Sequence, residues 1–151
     1  MQLQGKTALV TGSTSGIGLA IARAFALEGA SLMINGFGDP EEIEETRREL
    51  ETSSGTQVLY DGADLGDAQA IEAMVKRCTH ELHAPDILVN NAGIQFVSPV
   101  ESFPVEKWEA ILRINLSAVF HTTRLCLPAM RERGWGRIIN TASAHSLVAS
   151  P

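Results

Sequence analysis

The chain has 151 residues, enough for one well-filled core and too few for two ordinary domains. Its 44% hydrophobic and 20% charged residues exclude a disordered or fibrous chain. The net charge of −6 comes mostly from one stretch: from Asp39 to Glu51 seven acids stand against Arg47 and Arg48. Such a surface offers no cationic footprint to nucleic acid. No run of about 18 apolar residues is present, and the start MQLQGKTALV lacks the basic-then-apolar order of a leader, so a non-membrane, cytoplasmic protein is expected. Cys78 and Cys126 are far apart and outside any metal-ligand spacing, which predicts two buried, reduced thiols and no metal site.

Strand and helix patterns alternate along the chain. Thr7 to Val10 is a short β-favouring run ending at Gly12, and the spacing Ile17, Ile21, Ala24, Phe25 predicts a helix up to Gly29. Ala30 to Ile34 is a second strand. Asp39 as N-cap and Pro40 in the first helical position then open an acidic helix with i,i+4 pairs such as Glu44 to Arg48. Gln57 to Tyr60 reads as the third strand. Asp67 caps a helix carrying Ile71, Met74, Val75 and Leu82, and Asp86 to Val89 is the fourth strand. Helical spacing runs from Pro104 to Met130, with Pro128 expected to distort its end, and Arg137 to Asn140 supplies a fifth strand. Apolar strands separated by helices imply an α/β fold, a doubly wound parallel sheet of Rossmann type, as a single dinucleotide-binding domain over residues 1–151.

After the first strand stands Thr11-Gly12-Ser13-Thr14-Ser15-Gly16-Ile17-Gly18. Glycines where a strand turns into a helix let the backbone approach a pyrophosphate, and the helix N-terminus stabilises its charge. The G-x-x-x-G-x-G spacing alone also fits a plain tight turn; its place at the head of a βαβ unit favours a nucleotide.

Farther along come Asp64 after the third strand, Asn90-Asn91-Ala92-Gly93 after the fourth, Asn115 in a helix and Ser143 after the fifth. In this order these segments resemble the short-chain dehydrogenase/reductase family, from end to end of the chain. Asn35-Gly36-Phe37-Gly38-Asp39, Gly93-Ile94-Gln95 and Ala142-Ser143-Ala144-His145 resemble its branch acting on D-3-hydroxybutyrate.

The resemblance implies that Gly12, Thr14, Ser15, Gly16 and Ile17 hold the pyrophosphate and adjacent ribose of NAD. Asp64 and Leu65 would flank the adenine with Phe37 nearby, and Asn91 and Gly93 would line the nicotinamide side. Asp64 also fits a simple turn residue beside Gly62. Ser143 would hold the reacting oxygen, Asn115 would position a water, and Gln95, Ser143 and His145 would meet a small hydroxy-acid substrate. Without the family, Gln95 and His145 read as ordinary polar loop residues.

The family's base is a Tyr in a Y-x-x-x-K segment downstream of the Ser, whereas the single tyrosine here is Tyr60 on the third strand. The expectation is therefore the N-terminal portion of an NAD-dependent dehydrogenase, a homotetramer when complete, with no turnover by these 151 residues alone. The competing readings are an NADP-dependent 3-oxoacyl reductase of the same family and a catalytically inactive nucleotide-binding fragment. Preference for NAD follows from the absence of Arg or Lys in Asn35-Gly36-Phe37 and in the glycine turn, although the acid that commonly holds the ribose diol is absent too.

Overall fold

In the computed structural model, which describes residues 1–144, the first strand β1 (Thr7–Val10) is buried along its whole length. A strand so enclosed must be covered on both faces, and its side chains divide accordingly. Ala8 and Val10 join Leu32, Ile34, Val58, Ile87 and Val89 beneath Ala22, Ala26 and Leu50. Leu9, Met33 and Leu88 point the other way, onto Ile71, Met74, Cys78, Cys126 and Met130. The period-two alternation of the strands thus builds two cores, one on each side of the sheet.

The elements follow in chain order as α1 (Gly16–Leu27), β2 (Ser31–Asn35), α2 (Pro40–Ser54), β3 (Val58–Asp61), α3 (Ala68–Glu81), β4 (Ile87–Asn90), α4 (Val105–Leu112), α5 (Ala118–Glu132) and β5 (Arg137–Asn140). All strand pairs are parallel, in the order β3-β2-β1-β4-β5. The order reverses at β1, whose neighbours are β2 and β4, and there the carboxyl ends of β1 and β4 open a crevice.

Local chemistry explains the helix starts. Asp39 accepts from the Glu41 and Glu42 amides at 2.9 and 3.3 Å, with Pro40 next in line. Asp67 caps α3 through the Gln69 amide at 2.8 Å. Arg48 reaches Glu44 at 2.7 Å and Arg47 bridges Glu44 and Glu51, so the Glu44 carboxyl is held down to about 2, first by the Arg47 hydrogen bonds. Both cysteines are free and buried, and burial pushes each thiol up to about 12.

Three expectations are corrected. β2, β3 and β4 lie one residue later than read, because each runs on into a polar residue that pairs at the sheet's end: Asn35 opposite Asp61, and Asn90 opposite Asn140. The long helix from Pro104 is interrupted by a π-helical turn over Arg113–Ser117. The break therefore lies there and not at Pro128, through which α5 continues to Glu132. Among the described residues no helix is long and apolar enough to cross a membrane.

Candidate nucleotide-binding site

The glycine turn joins β1 to α1 at the crevice. Ser15, the N-cap of α1, makes no side-chain cap hydrogen bond, and the first turn holds no acid, so no side chain of the cap answers the amides that open the helix. An anion fits such a terminus. Gly12 has φ +61°, and a Cβ there would meet the Ala92 backbone at 2.8 Å. A Cβ on Gly18 would strike the Gly12 carbonyl and lie 2.5 Å from Asn91 Nδ2. The turn is thus packed against the end of β4 as closely as backbone permits, and a side chain at either glycine would push the two apart.

Polar side chains fasten the turn to its neighbours. The Thr11 hydroxyl accepts from the Asn91 and Ala92 amides at 3.0 and 3.1 Å. Asn91 donates through Nδ2 to the carbonyls of Thr11 and Gly12 at 3.1 and 3.0 Å, and its Oδ1 accepts from Thr141 at 3.3 Å. Ser13, fully buried, donates to the Val10 carbonyl at 2.6 Å and accepts from the Asn35 amide at 3.1 Å. Asn35, also buried, donates to the carbonyls of Asp61 and Ala63, both at 3.0 Å.

A cleft of about 420 Å³ opens over this frame. Gly12, Thr14, Ser15 and Ile17 form one side; Phe37, Asp64 and Leu65 border another; Asn91, Gly93, Ile94 and Ile114 close the far end. Among the described residues no Lys or Arg lines it. Gly16 lies within the turn as the first residue of α1. Asp64 does both things open to it in the sequence, lining the cleft and accepting from the Gly66 amide at 2.7 Å. A wider groove of about 880 Å³ follows the outer face of α2, but Glu41, Glu44, Glu45 and Glu49 line it against Arg48 alone, and the net negative charge would repel a phosphate.

Of the chemistry-bearing candidates, Asn115 is tied to the cleft through Ile94. Asn115 sits in the π-helical turn, where its amide donates to the Ile94 carbonyl and accepts from the Ile94 amide, both at 2.9 Å. This reciprocal pair pins the segment leading to Gln95, which is exposed. Ser143 follows β5 and is exposed. Buried Thr122 of α5 donates to Asn90 Oδ1 at 2.7 Å and Asn90 donates to Asn140 Oδ1 at 2.9 Å, tying the end of β5 to the body of the fold. His145 lies outside the described residues. Among the described residues no cluster of three His, Cys, Asp or Glu could hold a metal ion.

Sequence reasoning passed over Thr11, Asn35, Asn90 and Ile114. The polar three share a signal, a hydrogen-bonding side chain at the carboxyl end of an apolar strand. Ile114 reaches the cleft only because the π-helical turn places it there, which no spacing announces.

Residues 6–151 match the family model described as short chain dehydrogenase. The chain belongs to the short-chain dehydrogenase family. Among other members, it is 54% identical over 98% of its length to a D-beta-hydroxybutyrate dehydrogenase of Cupriavidus necator, and 53% identical over 97% to one of Rhizobium meliloti. It spans 57% of each of these relatives. A solved structure, of a blue fluorescent protein from a metagenomic library in complex with NADPH, superposes with a TM-score of 0.93 at 31% identity, over the whole chain and 61% of that protein. In open parallel α/β sheets, ligands bind outside the carboxyl ends of the strands at such a switch point, which is where this cleft opens.

Proposed function

We propose that this short-chain dehydrogenase chain forms the cofactor-binding part of an NAD-dependent oxidoreductase acting on D-3-hydroxybutyrate and acetoacetate. The observation that carries the cofactor assignment is the cleft: an uncapped α1 N-terminus at its glycine turn, and among the described residues no Lys or Arg in its lining. A pyrophosphate needs the first, and a 2′-phosphate would need an Arg or Lys that the second lacks. The substrate class rests on the two hydroxybutyrate dehydrogenase relatives.

When bound, NAD supplies the acceptor for the hydride leaving the alcohol carbon. Gly12, Thr14, Ser15, Gly16 and Ile17 would hold its phosphates and ribose, Phe37, Asp64 and Leu65 its adenine side, and Asn91 and Gly93 its nicotinamide side. Ser143 would donate a hydrogen bond to the substrate oxygen, holding it while its proton is removed. Gln95 and His145 would donate to the carboxylate. The Asn115 amide spends one N–H and one lone pair on Ile94, so its second Nδ2–H and its main chain are what it can offer a water. The base lies outside these residues: Tyr60, the single tyrosine, donates its hydroxyl to the Gly36 carbonyl on the adenosine side. The 151 residues by themselves would therefore bind NAD without turning over alcohol.

Other features support the wider reading. Trp108 of α4, Leu116 of the π-helical turn and Phe120 of α5 are 54%, 65% and 63% exposed, apolar side chains suited to a homo-oligomer. Two free thiols fit the reducing cytoplasm.

The test is a titration of the chain with NAD and NADP, followed by assay of the complete subunit with D-3-hydroxybutyrate. Binding of NAD with NADP at least tenfold weaker, together with NADH production that Ser143→Ala abolishes, is expected. Equal affinity for the two cofactors would remove the NAD assignment. A complete subunit that binds NAD but does not oxidise the hydroxy acid would remove the substrate.

A further inference from the structure

Phe37 presents a contradiction within the cleft. Its ring is 69% exposed, so packing does not hold it, and it stands between Gly36 and Gly38, at φ +157° and +155°. Glycines on both sides give the backbone more freedom than any other flanking pair. An aromatic ring on such a stem is a poor binding surface unless something else fixes the stem, because each freely rotating group must be ordered when a ligand arrives.

The two carbonyls on either side of the Gly36–Phe37 bond pair are each taken by a hydroxyl from a different element. Tyr60 of β3 donates to the Gly36 carbonyl at 2.9 Å, and Thr14 of the glycine turn donates to the Phe37 carbonyl at 3.0 Å. The contact with Thr14 is close: a Cβ on Gly36 would sit 2.5 Å from its hydroxyl oxygen, so glycine there lets the two segments meet. Tyr60 is anchored in turn. It pairs with Ile34 in the β2–β3 ladder, and Arg77 donates to its carbonyl at 2.8 Å.

We infer that Tyr60 is a positioning residue for the adenosine half of the cofactor, acting through Gly36 to hold the Phe37 ring in place, with Thr14 as its counterpart from the opposite side. This rests on the NAD-binding reading of the cleft. The ligand feature it serves is the flat, π-faced adenine, which an aromatic ring can stack on or edge against. Tyr60 itself need not touch the nucleotide. Its contribution is to order the stem before binding, so that a cost otherwise met on binding is met on folding.

The test is a double-mutant cycle on the chain itself, read by calorimetric titration with NAD. Tyr60→Phe keeps the ring and removes the hydroxyl; it is expected to weaken NAD three- to tenfold. Thr14→Val is expected to do the same, and Thr14→Ser to restore native affinity. In a Phe37→Ala background Tyr60→Phe should change the affinity less than 1.5-fold, because the ring it positions is gone. Far-UV circular dichroism confirms that each variant is folded at the titration temperature. A Tyr60→Phe chain that binds NAD like the native chain overturns the inference, as does an undiminished Tyr60→Phe effect without Phe37. Should Tyr60→Phe fail to fold, Tyr60→His, whose ring N–H can still donate, and Tyr60→Leu, which cannot, are compared in both backgrounds by the same criterion. A native chain that does not bind NAD is the failure of the cofactor reading, and is told apart by needing no variant.

Discussion

The four strands from β1 to β4 and the strand β5 are built from similar apolar residues but live in different surroundings. β1 and β4 are buried at every position, whereas β5 has only Ile138 half-covered, and Ile139 is 45% exposed. The helices divide the same way: α3 buries Ile71, Met74, Val75 and Cys78, while α4 buries nothing. The residues proposed to hold the cofactor stand on the first kind of frame, and Gln95, Asn115 and Ser143 on or beside the second. Binding elements that need a fixed shape, such as the glycine turn, are thus set against the densest part of the molecule. Residues proposed to meet the substrate are carried by its more accessible segments.

Gly18→Ala attacks the enclosed region most directly. The new methyl has no room between the Gly12 carbonyl and Asn91, so a loss of about 3 kcal/mol in urea unfolding is expected, with no NAD binding detectable by titration. A stable variant that still bound NAD would show the turn to be compliant.

The comparison itself is measured by pairing Ile34→Ala with Ile139→Thr. Ile34 is fully buried, and its truncation should cost about 3 kcal/mol. Ile139→Thr should stay within about 0.5 kcal/mol in the 151-residue chain. A cost for Ile139→Thr near that of Ile34→Ala would mean that β5 is covered in solution, for instance by self-association.

Alkaline titration probes the core between α3 and α5. Cys78 and Cys126 keep their protons up to about 12 in the fold, because burial disfavours the thiolate. In the unfolded chain they ionise near ~8.5. The unfolded state therefore loses protons first, so this contribution is whole below about pH 8.5 and declines as pH rises towards 12. At pH 9.5 the loss relative to pH 7.5 should be about 1 kcal/mol per thiol, and a Cys78→Ala, Cys126→Ala double variant should lack that part of the slope.

The smallest effect is expected at His83, between α3 and β4, which holds φ +152° without being glycine. His83→Gly should raise stability by about 0.5–1 kcal/mol in thermal unfolding. No change would place the strain elsewhere.

Most of the enclosed region was readable in the chain. Asp39, Pro40 and Asp67 mark their helix starts by chemistry that acts within three residues, and apolar runs bounded by glycine mark the strands. The glycine turn was readable as a cradle only because a strand precedes it and a helix follows. What escaped depends on partners far away in sequence. Asn35 and Asn90 extend their strands because Asp61 and Asn140 lie opposite them. The π-helical turn is stabilised where Asn115 meets Ile94, 21 residues earlier. Pro128 sits inside α5, where Cys126 and Met130 pack into the core on either side of it.

The place of β4 beside β1 has a consequence for how the chain comes off the ribosome. Thr11 awaits hydrogen-bond partners about 80 residues ahead of it, at Asn91 and Ala92. At ~5–20 residues per second, the first strand emerges roughly 4–16 s before the strand that completes its sheet. Throughout that interval one apolar edge of β1 is open, and the newborn glycine turn has no wall to rest against. Slowing translation should therefore lower soluble yield unless a chaperone shields residues 7–10, a vulnerability written into the strand order and independent of how stable the finished domain becomes.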